Sequence, residues 1–361
     1  MAYKYKKIAV KIGSNVLTRA DGTLDVTRMS SLADQISTLR KSGVDVIMIS
    51  SGAVASGRSE MNISRKLDAV AERQLFSSVG QAKLINKYFE LFRDHNIVVG
   101  QVLTTKESLS TRRHYLNQKN CMTVMLENGV IPIINENDTI SVTELMFTDN
   151  DELSGLVATM MGVDALIILS NVDGIYNGDP KDPSSEVIRE IKNDKTGNIS
   201  KYIQTQKSQF GRGGMLTKYS IAKKVADEGI EVIIANGKKD NILTDILKKG
   251  NNLVYTCFEA SEKPISGVKK WIAHSDLFAK GELHIDRSAY RVLIGEKATS
   301  LLPIGVLEIK GDFQKDDIVR IMYDGKQVGV GKVTQDSTKA RSIIGIKGSR
   351  PLVHYDYLYL D

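Results

Sequence analysis

The chain has 361 residues, 42% hydrophobic and 25% charged, ordinary proportions for a globular protein and a length that calls for two cores. A formal net charge of +6 is spread along it, and from Gly281 onward 12 basic residues stand against 11 acidic ones, which argues against a nucleic-acid groove, where charge is clustered. No run approaches the ~20 apolar residues of a membrane span, and two distant cysteines, Cys121 and Cys257, exclude a disulfide scaffold and suit a reducing cytoplasm.

Met1 to Lys7 is polar and basic and enters an apolar segment directly, so no cleavable leader is expected. Short Val- and Ile-rich runs follow at Ile8–Lys11, Val44–Ser50, Ile97–Thr104, Val130–Asn135, Ala165–Ser170 and Glu231–Ala235, the pattern of strands buried on both faces. Between them lie helix candidates at Val26–Lys41, Asp68–Arg93, Lys106–Leu126, Asn150–Met161, Met215–Glu228 and Asn241–Lys248. This alternation predicts an α/β fold, a mostly parallel sheet sandwiched by helices. Thr139–Thr148 reads as a polar hairpin, and Tyr176–Gln209 as a hydrophilic insertion.

Beyond Ser261 short strand-like pieces dominate, at Leu283–Ile285, Gly305–Ile309, Ile318–Tyr323, Lys326–Lys332, Ala340–Ile346 and His354–Leu360. Turn signals at Gly311-Asp312 and Asp324-Gly325 separate some of them. The expected organisation is therefore an α/β domain over 1–260, a linker over 261–280 and a small β-rich domain over 281–361.

In open α/β sheets ligands bind at the carboxyl ends of the strands. Lys11-Ile12-Gly13-Ser14 places an ammonium beside free backbone N–H groups, which can hold phosphate oxygens; a strand-end lysine reaching solvent is the plainer alternative. Ser50–Gly57 holds two glycines and three serines, where a plain strand-to-helix turn needs one glycine, and small residues let a ligand approach the backbone. Asn135-Glu136-Asn137-Asp138 ends a buried strand with four polar residues that need partners. Asp149-Asn150-Asp151 exceeds what one helix cap requires. Gly211–Lys218 is a glycine-rich loop entering a helix without the P-loop spacing, and Gly329-Val330-Gly331-Lys332-Val333 also fails that pattern.

Six pieces in this order, "VKIGSNVLT" at Val10, "SSGAVASGR" at Ser50, "INENDT" at Ile134, "DNDELSGLVA" at Asp149, "VDGIYNGDP" at Val172 and "GRGGMLTK" at Gly211, resemble the amino acid kinase family, in its branch that phosphorylates glutamate. The tail, with "SLLPIGV" at Ser300, resembles a PUA domain, a small β-barrel. The resemblance implies transfer of a phosphoryl group from ATP to the γ-carboxylate of L-glutamate, the first step of proline biosynthesis, with Mg²⁺ accompanying ATP and no protein metal ligand assigned. It implies catalytic roles for Lys11, Lys218 and Asp151, and substrate contacts from Ser51, Asp138 and Asn150. Lys11, Ser170, Asn171, Arg212, Gly213, Gly214, Met215, Leu216, Thr217 and Lys218 would contact ATP. Arg212 and Ser170-Asn171 depart from residues common in the family. Inhibition by proline and a homo-oligomer formed through the kinase domain are also implied. Other acceptors within the family, or RNA binding by the tail, are the alternatives, and the near-neutral tail speaks against RNA.

Overall fold

The computed structural model describes residues 3–360 except 62, 64–66, 110–111, 142–149, 181, 193–214, 249, 263–271, 273–277 and 296–298. The chain divides into two compact units, Met1–Thr105 with Leu116–Pro264, and Lys106–Tyr115 with Ile265–Asp361. Each is described by itself.

In the first unit the described strands are β1 (Lys7–Ile12), β2 (Asp45–Ser50), β3 (Val99–Thr104), β4 (Ile131–Glu136), β5 (Ala165–Ser170), β6 (Glu190–Ile191), β7 (Glu231–Asn236) and β8 (Thr256–Phe258). They form one sheet in the order β3-β4-β2-β1-β5-β7-β8-β6. Every pairing from β3 to β7 is parallel, and only β8 runs antiparallel to β7. The six expected strands are all present; β6 and β8, too short to carry a period, extend the sheet beyond them.

The helices are α1 (Ser14–Leu17), α2 (Val26–Lys41), α3 (Ala53–Arg58), α4 (Ala69–Arg93), α5 (Arg112–Glu127), α6 (Asn150–Met161), α7 (Met215–Asp227) and α8 (Ile242–Ile246). The side chain of Asp25 caps α2 by accepting from Arg28 N, and Asp68 caps α4 by accepting from Val70 and Ala71 N. The predicted helix Lys106–Leu126 is broken: a 3₁₀ turn, Glu107–Leu109, precedes α5. Most of the expected hairpin Thr139–Thr148, from residue 142 on, and the later part of the hydrophilic insertion lie outside the described residues.

Both faces of the central strands are buried, so their sequences are apolar without alternation. Ile8, Val10 and Ile12 join the core shared with α2 and α4, together with Val46 and Met48 of β2 and Ile167 and Leu169 of β5. Side chains alternate across a strand, so Ala9 and Lys11 point to the other face, where α6 packs on β1. A lysine in the middle of a buried sheet therefore meets the start of a helix rather than solvent.

The second unit holds β9 (Gly281–Ile285), β10 (Val306–Gly311), β11 (Ile318–Tyr323), β12 (Lys326–Val333) and β13 (Val353–Leu360), in the order β10-β9-β11-β12-β13. Asp324 and Gly325 both have positive φ, 50° and 71°, and form the tight β11–β12 hairpin that their sequence announces. Two short helices were not expected, α9 (Arg287–Leu293) and α10 (Ser337–Ser342). The second overturns the strand expected at Ala340–Ile346. Asp336 accepts from Lys339 N and starts a helix there, a local cap that outweighs the β-branched residues beyond it. The core of this unit gathers Leu283, Phe313, Val319, Ile321 and Leu352, all essentially inaccessible.

Candidate active site

A cavity of about 700 Å³ opens at the carboxyl ends of β1, β2, β4 and β5 in the first unit. At its floor Asp151, in the first turn of α6, is fully buried and bridges two lysines. Its Oδ1 lies 2.5 Å from Lys11 Nζ, and its Oδ2 lies 2.8 Å from Lys218 Nζ. Burial pushes the Asp151 carboxyl up, but the two ammonium groups outweigh it and hold the carboxyl below the ordinary aspartate range. Lys11 arrives from the sheet and Lys218 from α7, so three elements meet at one carboxylate. Both lysines also line the cavity, and their charge is thereby presented to whatever occupies it.

The loop after β1 lies against β5: Gly13 N–H donates to Leu169 O at 3.1 Å. A β-carbon on Gly13 would stand 3.1 Å from that same oxygen and 3.7 Å from Lys11 Nζ, so glycine keeps the lysine head clear. Ser51 N–H donates to Ile12 O at 3.2 Å, which fixes the second loop to the first. Gly52 then turns the chain at φ 104°, a left-handed conformation that favours glycine, into α3. Gly57 has a different purpose from the ligand approach its sequence suggested. A β-carbon there would lie 1.8 Å from Phe76 O, and one on Gly80 would lie 1.9 Å from Ala53 O. The two glycines let α3 and α4 cross in backbone contact.

Asn150 joins three loops. Its Nδ2 donates at 3.0 Å to Ser50 O, Ser51 Oγ and Asn135 Oδ1. Asn135 in turn donates to Gln81 Oε1 at 2.8 Å, and Gln74 Nε2 to Thr139 O at 2.9 Å, so the loop after β4 is fastened to α4. Asp138 is nearly buried, and Arg73 Nε donates to its Oδ1 at 2.7 Å. The same guanidinium donates to Glu136 Oε2 at 2.9 Å. Burial pushes the Asp138 carboxyl above its ordinary value in spite of Arg73.

The structure thus brings Lys11, Ser51, Asp138, Asn150, Asp151, Ser170, Asn171, Met215 and Lys218 to one cavity. Leu216 is more than a third exposed and is not on its wall, nor is Thr217. Arg212, Gly213, Gly214 and Asp149 lie outside the described residues. Arg73 was not anticipated. It sits inside a long helical pattern with no special neighbour, and only the fold brings it against β4. Among the described residues no cluster of three His, Cys, Asp or Glu is placed to hold a metal ion, and no helix is long and apolar enough to cross a membrane.

Comparison with known proteins gives a consistent picture. The amino acid kinase family model matches residues 6–236, and the PUA domain model matches residues 281–353. A glutamate 5-kinase of Bacteroides thetaiotaomicron is 68% identical over 362 residues, covering 100% of both chains. One of Chlorobaculum tepidum is 47% identical and covers 99% of this chain and 98% of its own. Among solved structures, an isopentenyl phosphate kinase superposes with a TM-score of 0.50 at 17% identity, over 70% of this chain and 99% of that one, a likeness of fold alone.

Proposed function

We infer the reaction from a single premise: the chain belongs to the amino acid kinase family, its fold and its full-length relatives agreeing on this. It is an ATP-dependent phosphotransferase with a carboxyl group as acceptor, and its reaction is that of a glutamate 5-kinase. L-Glutamate and ATP give L-glutamyl 5-phosphate and ADP, the first step of proline biosynthesis.

The observation that carries the mechanism is the Lys11–Asp151–Lys218 bridge at the cavity floor. A γ-carboxylate has an ordinary pKa near ~4.3, so it is ionised at neutral pH and needs no general base. An oxygen of that carboxylate attacks the γ-phosphorus while the bond to the β,γ-bridging oxygen breaks and ADP departs. Both partners are anionic, so catalysis consists of positioning and of cations. Lys11 and Lys218 supply those cations from two sides, and Asp151 holds them apart at fixed distance. Ser51 and Asn150 position the acceptor, and Asp138 takes its α-ammonium. Ser170, Asn171 and the Arg212–Lys218 segment hold the nucleotide. Gly13, whose missing side chain leaves room beside Lys11, suits the approach of a phosphate. Mg²⁺ would accompany ATP and offset phosphate charge, and no residue of this chain is assigned to hold it. Proline competes at the glutamate subsite, the kinase domains associate into a homo-oligomer, and the enzyme works in the cytoplasm.

The direct test traps the product. With ATP and a panel of amino-acid and phosphate acceptors, hydroxylamine should yield γ-glutamyl hydroxamate with glutamate alone. Comparable turnover of another acceptor would overturn the assignment. A pH profile tests Asp138. Its value is raised, so glutamate binding is complete above that value and lost as pH falls through it. The kcat/KM for glutamate should therefore fall at a pH above the ordinary aspartate value. Asp138→Asn should lose that limb and keep only the one from the substrate's own carboxyl.

A further inference from the structure

Arg73 projects from α4 into the cavity wall and contacts two carboxylates there, Glu136 Oε2 at 2.9 Å and Asp138 Oδ1 at 2.7 Å. Glu136 and Asp138 are both nearly buried, whereas a third of the Arg73 side chain is open to the cavity side and solvent. The helix that carries it is fastened on both sides of the Glu136–Asp138 stretch, by Gln74 to Thr139 and by Gln81 to Asn135. The guanidinium is therefore held in place by a frame and not merely attracted to a passing charge.

An amino-acid acceptor brings three charges into this wall. Its γ-carboxylate belongs with Lys11 and Lys218, and its α-ammonium suits Asp138. Its α-carboxylate remains, and it must lie within a few ångströms of the α-ammonium, hence beside Asp138 and Glu136. Two buried carboxylates would repel it strongly in so enclosed a place. Among the described residues Arg73 is the cation adjoining both, and its planar fork matches the geometry of a carboxylate. Both contacts to Asp138 among the described residues fall on Oδ1, so Oδ2 remains to meet the ammonium.

We propose that Arg73 is a specificity-determining residue of the acceptor subsite, the group that admits an α-carboxylate beside the Glu136–Asp138 pair and so restricts the enzyme to α-amino acids with a free carboxyl. The proposal rests on glutamate being the acceptor.

The test compares L-glutamate with its α-carboxamide, isoglutamine, in wild type, Arg73→Gln and Arg73→Lys, by hydroxamate trapping. Glutamate turnover by the wild type is established first; its failure would remove the acceptor assignment and not bear on Arg73. A hydrogen bond to a charged group corresponds to about 10- to 100-fold in kcat/KM. Wild type should favour glutamate over isoglutamine by at least that factor, and Arg73→Gln should bring the ratio to within about 3-fold, chiefly through KM for glutamate, with KM for ATP unchanged. Arg73→Lys should restore part of the preference, because the charge remains while the fork is lost. If Arg73→Gln and Arg73→Lys lower both acceptors equally, Arg73 is only a brace for the loop and the proposal is wrong. Should Arg73→Gln fail to fold, Arg73→Lys alone decides: an unchanged ratio overturns the proposal, a reduced one supports it.

Discussion

Replacing Asp151 by asparagine is expected to lower kcat by about 10²–10³-fold with much smaller changes in KM. Asn keeps the shape of Asp but removes the charge that separates two ammonium groups at 2.5 and 2.8 Å. Lys11 and Lys218 would then repel each other across a neutral amide in a buried site, and at least one would leave the position proposed for it beside the transferring phosphoryl group. Losing one such preorganised donor costs about 3–4 kcal/mol of transition-state stabilisation. The same substitution should destabilise the fold by about 3–5 kcal/mol, the usual result of breaking a buried ion pair from one side. Its pH dependence has a definite sign. The folded-state value of Asp151 is depressed, so its contribution is fully present above the ordinary aspartate value and disappears only as the pH falls through the depressed one. The stability gap between wild type and variant, measured by denaturant unfolding, should persist from neutral pH down to that ordinary range and narrow below it. A variant with full kcat would show that the two lysines do not need their shared carboxylate.

Gly80→Ala is expected to be severely damaging for a single-methyl change, at about 3 kcal/mol or more. The added carbon would lie 1.9 Å from Ala53 O and 2.3 Å from Gly57 N, both backbone atoms of α3. No rotamer change relieves that contact; the helices must separate. Because α3 begins at Ala53, two residues after Ser51, the displacement should also raise KM for glutamate. Gly43→Ala is the control. Gly43 has a positive φ, 86°, and nothing lies within 4 Å of its would-be β-carbon, so only the backbone preference is lost, about 1 kcal/mol. Thermal unfolding of the two variants side by side gives the comparison, and equal losses would refute the crossing argument.

Most of the α/β unit is legible in the sequence because its signals are local. A run such as Ala165–Ser170 is apolar on both faces only if it is central, and Asp68 announces a helix by offering its carboxylate to Val70 and Ala71 N. The same locality explains the failure at Ala340–Ile346, where a cap four residues upstream decided the conformation against the β-branched composition. It also explains why β6 and β8 went unseen: two and three residues carry no period, and only pairing with distant strands makes them part of the sheet.

The loop carrying Ser51 and Gly52 illustrates the division at the site. Composition alone marks it as unusual, and Gly52 does turn the chain there, but Gly57 in the same run answers to the backbone of Phe76 on another helix. Asn150 and Asp151 are adjacent in sequence yet serve different partners, one the loops after β2 and β4, the other the two lysines.

The lysine at the end of the first strand shows what each level determined. From sequence alone came the parallel sheet, the loops at its carboxyl edge, the proposed pairing of Lys11 with phosphate chemistry and, through motif order, the kinase family. Each of these depends on neighbours within a few residues or on the order of short segments. Only the tertiary structure decided that Lys11 and Lys218, 207 positions apart, share one buried carboxylate, and that Arg73 pairs with Asp138 in the cavity wall. A charge's partner is set by where chain segments meet in space, and ion-pair energy falls off with distance through space, not along the chain.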